Sequence, residues 1–486
     1  MEKRYIIALD EGTTSVRSIL YDTKTKKIIA KSQLPFAQLY PKEGWVEQNP
    51  EEIWKCQKST LDEVLKNIKA EDVYGIGITN QRETVVAWDR TTGKPIYNAI
   101  VWQCRRTSRM IEKLPLGIKR KIKSRTGLIP NAYFSATKMK WIIDNVPLAK
   151  KLMSKGQLCF GTIDSYLAFK LTGKFVTDTS NASRTMLFNI NTLKWDKDLL
   201  EFFKIPVECL PEIVDSNAEV GNCTEYNIPL CGIIGDQQSS LVGQACLKKG
   251  MAKATYGTGC FILLNTGSEL VNTNKLLTTV GYTINGKTSY ALEGSIYSAC
   301  NAIDWLKEKL QLFNDYSEVD KMCYELKSNE GVYFVPAFTG LGAPYWSDCS
   351  KSTIVGATLA TDKRHIVRAC LESIAYNTLA VTKEMAKKGI NVKELHVDGG
   401  GSKNEFLLQF QSDVLQRNIL KSAVSESTAM GAVFMVGLNK KLFTMPLIEK
   451  QYETSSIYKP CITLSERNKL YTNWEKAIST SIFGGK

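Results

Sequence analysis

Gly232-Ile-Ile-Gly-Asp236-Gln237-Gln238, read together with Leu9-Asp10-Glu11-Gly12-Thr13-Thr14, places one carboxylate beside a glycine at each of two points where an apolar strand breaks into a turn. The first turn adds paired hydroxyl residues and the second adds paired amides. Two acidic turns so far apart in the chain are what a phosphoryl-transfer site built between two lobes requires. One carboxylate can hold Mg²⁺ at nucleotide phosphates while the other takes a proton from an attacking hydroxyl. The pattern predicts an ATP-dependent kinase for a small molecule.

Around these turns the N-terminal segment reads as a meander. Arg4–Asp10 is a short apolar run, Val16–Asp22 resumes a β pattern, and Lys27–Gln33 follows a Thr- and Lys-rich turn. Asn49-Pro50-Glu51-Glu52 then opens a helix, with Asn49 as cap and Pro50 at its first position. Val73–Thr79 reads as a buried strand and Val85–Trp88 as part of the next. The same grammar returns later: Ala252–Tyr256, the turn Gly257-Thr258-Gly259 and Cys260–Asn265 form a second hairpin, extended by Thr278–Ile284 and Ser289–Gly294. A long helix is expected over about 363–387. Glu394–Asp398 is then a strand ending in Gly399-Gly400-Gly401. These features predict two lobes on one plan, residues 1–244 and 245–486, joined by a hinge.

Composition narrows the function. At 486 residues, with 43% hydrophobic and 23% charged residues, the chain is ordinary for a globular α/β protein. Its net charge of +14 invites a nucleic-acid reading, but the densest run, Lys119–Arg125, has no interleaved aromatic residues and reads as a solvated helix face. No nucleic-acid partner is expected. The 13 cysteines include no C-x-x-C pair, which argues against a disulfide framework or a zinc site and for reduced thiols in a cytosol. With only two histidines, His365 and His396, histidine-based metal or triad chemistry has little material. No leader peptide and no 18-residue apolar run is read, so neither export nor membrane insertion is expected and a cytoplasmic location is.

Individual motifs carry the chemistry. Gly12 allows close backbone approach, and Thr13, Thr14 and Ser15 offer donors to phosphate oxygens, as does Gly257-Thr258-Gly259. Gly399-Gly400-Gly401 could let a base or ribose lie against backbone, or merely end a strand before a helix. Arg82 beside Glu83 offers neighbouring donors and acceptors suited to two adjacent hydroxyls; an exposed ion-paired turn is the other reading. Trp102 offers an aromatic face, or a core residue. The chain has no P-loop signature and no protein-kinase motif set.

These residues sit in longer stretches: Gly44–Pro50, Gly77–Glu83, Tyr97–Arg106, Thr179–Asn189, Gly235–Gln238, Ala254–Phe261, Val335–Trp346 and Asp398–Gly400. From about Tyr5 to about Gly437 the chain resembles the FGGY carbohydrate kinase family, in its glycerol-phosphorylating branch. The resemblance implies a two-lobed α/β fold of the actin, hexokinase and Hsp70 ATPase kind (ribonuclease H-like), with the active site in the interdomain cleft. It implies Asp236 as general base. Arg82, Glu83, Tyr133, Asp236 and Gln237 would bind the glycerol hydroxyls, with Trp102 and Phe261 as an apolar wall. Thr13, Thr14, Ser15, Arg17, Thr258, Gly259, Gly400 and Asn404 would hold ATP, and Asp10 with Asp236 would organise Mg²⁺. Homodimers or homotetramers are also implied.

Departures from the family pattern accompany the resemblance. Glu11 stands where glutamine is more usual, and is expected to point away from the phosphates or to assist Mg²⁺. Cys300 and Asp304 replace a glycine and a glutamine near the nucleotide. Ser347–Ser352 also strays, and Glu219–Ile228 is short and lacks the loop by which some relatives bind fructose 1,6-bisphosphate. Other readings within the fold are a kinase for a longer polyol or sugar, a binding or regulatory paralogue, and a chaperone-type ATPase without a glycerol pocket.

Overall fold

The computed structural model describes residues 3–347 and 349–484. Asp348, inside the Ser347–Ser352 stretch, lies outside the described residues. The N-terminal meander is three antiparallel strands, β1 (Tyr5–Glu11), β2 (Ser15–Asp22) and β3 (Lys27–Pro35). Two later strands, β4 (Val73–Asn80) and β5 (Pro229–Gly235), add parallel to β1, giving the order β5-β4-β1-β2-β3 with a short strand at the β5 edge.

The second half repeats that plan. Here β6 (Ala252–Tyr256), β7 (Cys260–Gly267), β8 (Leu277–Ile284), β9 (Lys287–Ile296), β10 (Leu395–Asp398), β11 (Ile419–Ser422) and β12 (Thr454–Tyr458) form one sheet. Within it β9-β7-β6-β10-β11 matches the first sheet strand for strand. β6, β7 and β9 pair antiparallel, and β10 and β11 run parallel to the first member. The parallel strands of both sheets therefore deliver their C-terminal ends, the usual place for ligand sites in such sheets, to a common cleft. A four-stranded sheet containing Val85–Asp89 flanks the first lobe.

Helices cover both faces of the first sheet, which is why β1 is apolar nearly throughout. Ile7 and Leu9 pack in the cluster with Ile53 and Leu61 of α1 (Pro50–Leu65), whose cap is Asn49 as its sequence dictates. Ile6 and Ala8 face the other way, into a cluster with Ala432, Val433 and Val436. Those belong to the late helix α5 (Ser427–Asn439), which follows α2 (Asp236–Gly243), α3 (Lys363–Ala386) and α4 (Glu405–Leu415). The basic run forms a helix, Leu116–Thr126, whose cations are engaged locally: Lys121 with Asp198 at 2.7 Å and Arg125 with Asp196 at 3.0 Å. All 13 cysteines are free, and no helix among the described residues is long and apolar enough to cross a membrane.

The close packing of α2 on α5 positions Asp236. It depends on two missing side chains: a Cβ at Gly431 would lie 2.0 Å from the Ser239 carbonyl oxygen, and one at Gly243 would lie 1.9 Å from that of Ser427. Because the obstacles are backbone atoms, the helices themselves would have to separate. Gly431→Ala is expected to destabilise the fold by about 1–3 kcal/mol, the usual cost of overpacking. Thermal unfolding checks this, and an unchanged melting temperature would contradict the close-contact account.

Candidate active site

Where the two sheets face each other lies a cavity of ≈160 Å³. Its walls include Arg82, Glu83, Trp102, Tyr133, Asp236, Gln237 and Phe261, all seven residues read as substrate ligands, together with Thr13, Thr258 and Gly259. Gln81, Thr255 and Gly257 complete it.

The charged floor starts from β4, which breaks immediately after Asn80. Thr84 N–H donates to the Arg82 carbonyl at 2.8 Å, and Glu83 between them has φ +62°. That is a γ-turn with a left-handed non-glycine centre, a strained conformation costing about 1–3 kcal/mol and held only by strong surroundings. Those surroundings are ionic. Arg184 Nε donates to Glu83 Oε1 at 2.5 Å, and Ser135 Oγ donates to the Glu83 carbonyl at 3.0 Å. Arg184 Nη2 also reaches Glu293 Oε1 at 2.9 Å, and Arg82 donates to both Glu293 oxygens at 2.6 and 3.2 Å. Burial alone would raise the Glu293 carboxyl, yet Arg184 and Arg82 hold it down at about 2. Burial raises Glu83, with Arg184 and Arg82 opposing.

Arg82 also meets Asp236, Nε to Oδ1 at 3.1 Å. Asp236 opens α2, where an acidic group is favoured by the helix dipole, and Gln237 N–H and Nε2 donate to its two oxygens at 2.7 and 3.0 Å. Arg82 is thus largely committed to protein partners, fixing the carboxylate as well as facing the cavity. On the opposite side three rings form an apolar wall: Trp102 packs edge-on against Tyr133 at 5.6 Å and Phe261 at 6.2 Å between centroids. Trp102 Nε1 donates to Thr13 Oγ1 at 3.1 Å, so the wall is tied to the first hydroxyl turn.

That turn closes through Gly12 N–H to the Ser15 carbonyl at 3.0 Å, and the facing turn through Gly257 N–H to the Gly259 carbonyl at 2.9 Å. Gly257 lines both the small cavity and a second one of ≈560 Å³, whose walls include Gly400, Asn404, Cys300 and Asp304. A Cβ built on Gly400 meets nothing within 4 Å, whereas one on Gly401 would strike Cys300 Sγ at 2.7 Å. Asn404 caps α4, accepting from Leu407 N–H at 2.7 Å, and Asp304 accepts from the Tyr316 hydroxyl at 2.6 Å.

Thr14, Ser15 and Arg17 line neither cavity. Thr14 is exposed at the turn. Ser15 Oγ accepts from Gln33 at 3.0 Å, and Arg17 is ion-paired with Glu426 and lies 3.5 Å from Asp10. Asp10 is the penultimate residue of β1; burial pushes it up to about 6, with Arg17 opposing and Glu426 and Asp236 adding to the rise. Among the described residues no group of three or more His, Cys, Asp or Glu could hold a metal.

Glu11 turns away from the cavity. It is fully buried and accepts from Gln81 Nε2 at 2.8 Å, which also donates to Gln48 Oε1 at 2.9 Å. Burial raises its carboxyl well above the ordinary range. Enclosed, and joined through Gln81 Nε2 to the Gly12 carbonyl, Glu11 braces the hydroxyl turn from behind. Sequence reasoning assigned no role to Glu293, Arg184 or Gln81. The available signal was chemical: an acid inside the apolar run Ala291-Leu292-Glu293-Gly294 has to find a cation.

The matches to known proteins cover this whole arrangement. Residues 5–243 match the N-terminal domain, and residues 252–438 the C-terminal domain, of the FGGY family of carbohydrate kinases. Glycerol kinase of Thermococcus gammatolerans is 47% identical over 99% of this chain and 98% of its own length. Glycerol kinase of Clostridium perfringens is 48% identical over the same shares. The crystal structure of Plasmodium falciparum glycerol kinase with ADP superposes with a TM-score of 0.91 at 36% identity, covering 99% of both chains. Gluconate kinase of Lactobacillus acidophilus, at 21% identity and a TM-score of 0.88, shares the fold. Through both its lobes, and with the cleft between them, the chain belongs to the FGGY family of carbohydrate kinases.

Proposed function

We propose that the chain transfers the γ-phosphoryl group of ATP to a terminal hydroxyl of glycerol, giving sn-glycerol 3-phosphate and ADP. The observation that carries this reading is a pair of cavities that share a lining residue. One is small, with an ionic floor and a ring wall; the other is larger and glycine-lined; Gly257 belongs to both. At ≈160 Å³ the first falls well below the about 300–1,000 Å³ of pockets for drug-sized ligands. It suits a three-carbon polyol better than a sugar. The relatives named glycerol kinase support the same substrate. In this reading the lobes are residues 1–244 and 245–486, and the enzyme works in the cytoplasm.

Asp236 accepts the proton of the attacking hydroxyl as its oxygen bonds to the γ-phosphorus and the bond to the ADP oxygen breaks. Arg82 and the Gln237 donors hold the carboxylate in place during that step. Glu83, Tyr133, Arg82 and Gln237 orient the hydroxyls, and Trp102 with Phe261 covers the carbon chain. A site that pairs buried polar groups with substrate hydroxyls rejects analogues that leave them unpaired. Thr13, Thr14, Ser15, Arg17, Thr258 and Gly259 serve the phosphates, and Gly400 with Asn404 the nucleoside.

Asp10 and Asp236 fit Mg²⁺. They are oxygen ligands few enough to leave the ion its waters and phosphate oxygens, and the charge of Asp236 is felt at Asp10. When bound, Mg²⁺ supplies neutralisation of charge on the β- and γ-phosphoryl oxygens.

Asp236→Asn is expected to lower kcat by about 10²–10⁴-fold with little change in glycerol affinity; near-normal turnover would remove Asp236 from the role of base. Steady-state kinetics of the pair Cys300→Gly and Asp304→Gln should show KM for ATP altered more than KM for glycerol. A change confined to glycerol would place the second cavity outside the nucleotide path.

A further inference from the structure

Lys253 lies on β6 with no exposed surface, beside the site yet on the wall of neither cavity. Its Nζ donates to Gln237 Oε1 in a short hydrogen bond and to Thr255 Oγ1 at 2.9 Å. Burying an ammonium is costly, and among the described residues no carboxylate lies within ion-pair distance of it. Asp398 is its principal counter-charge, at the end of the neighbouring strand β10. The Asp398 Oδ2 accepts from Ser240 Oγ at 3.1 Å, and its Oδ1 has no hydrogen-bond partner among the described residues.

An ammonium group only donates. Lys253 therefore settles which end of the Gln237 amide faces it: the oxygen. The nitrogen must then point the other way, and Nε2 does, to Asp236 Oδ2 at 3.0 Å. With the backbone N–H of Gln237 on Oδ1, one residue secures both oxygens of Asp236. Without Lys253 the amide keeps only its bond to Asp236 and loses the anchor that holds its far end in place.

Resting on the phosphoryl-transfer reading of Asp236, we propose that Lys253 is a positioning residue that acts through Gln237 to fix the orientation of the Asp236 carboxylate. It touches neither glycerol nor the phosphates. The route through Gln237 can be cut independently, while the contact to Thr255 Oγ1 stays in place.

The test is a double-mutant cycle in the full chain with Lys253→Met and Gln237→Leu, measuring kcat, both KM values and the melting temperature. Lys253→Met is expected to lower kcat by about 10–100-fold, the range found for outer partners of site ligands elsewhere, with KM for ATP nearly unchanged. In the Gln237→Leu background it should cost little more, since the route is already cut. Effects that multiply in full, or an unchanged kcat, overturn the proposal. Should Lys253→Met fail to fold, Lys253→Gln keeps an N–H donor without the charge and enters the same cycle with the same expected non-additivity. If the parent chain shows no glycerol-dependent turnover, the reading of Asp236 fails; an active parent with an additive cycle rejects the role of Lys253 alone.

Discussion

Glu293, reaching from the second sheet to Arg82 and Arg184 of the first lobe, is the contact on which the site's geometry depends. Taking four charges, Glu83 included, out of water costs several kcal/mol per ion, and only close, multiply bonded geometry offsets it. Both guanidinium groups bond to Glu293, and Arg184 continues to Glu83. Removing one partner from such a set leaves an uncompensated charge, typically a loss of about 3–5 kcal/mol. The cluster does more than hold lobes together. It keeps Glu83 in its left-handed turn, aims Arg82 at Asp236, and places the Arg184 guanidinium 5.6 Å from the Tyr133 ring. Floor and wall of the small cavity are both referred to it.

The repeated sheet plan explains why the rest of the machinery converges there. In each lobe the first hairpin turns through a glycine–threonine pair, and both turns border the small cavity through Thr13 and Thr258. In each lobe a strand parallel to the first runs into a segment that lines a cavity. In the first lobe β5 leads to Asp236, and in the second β10 leads to Gly400 at the larger cavity. A phosphate chain laid between the two cavities would be held by matching elements of the two lobes, with the hydroxyl-binding and nucleoside-binding ends set by where the lobes differ.

Much of this was legible in the sequence because it is local. The meander, both hairpins, the Asn49 cap and the long helix follow from strand periodicity, turn residues and capping chemistry acting within a few positions. Arg82, Trp102 and Asp236 stood out as local motifs, whereas Tyr133 and Phe261 joined them only through resemblance, since no period connects them. What stayed hidden is pairing at a distance. Nothing near Glu293 in sequence announces Arg82, 211 positions away. Glu83 gives no sign of positive φ, and Lys253 sits in a strand where alternation alone would allow exposure. Arg17, which the resemblance assigns to the nucleotide, also has distant partners that no local pattern announces, Asp10 and Glu426.

The most direct measurement is ADP release in Mg-ATP with glycerol, erythritol, xylulose or ribulose as acceptor, at matched concentrations. A cavity of this size and lining predicts glycerol-dependent turnover far above that with the longer acceptors. Equal or faster turnover on erythritol or either ketopentose, or none on glycerol by a folded chain that still binds it, would contradict the assignment.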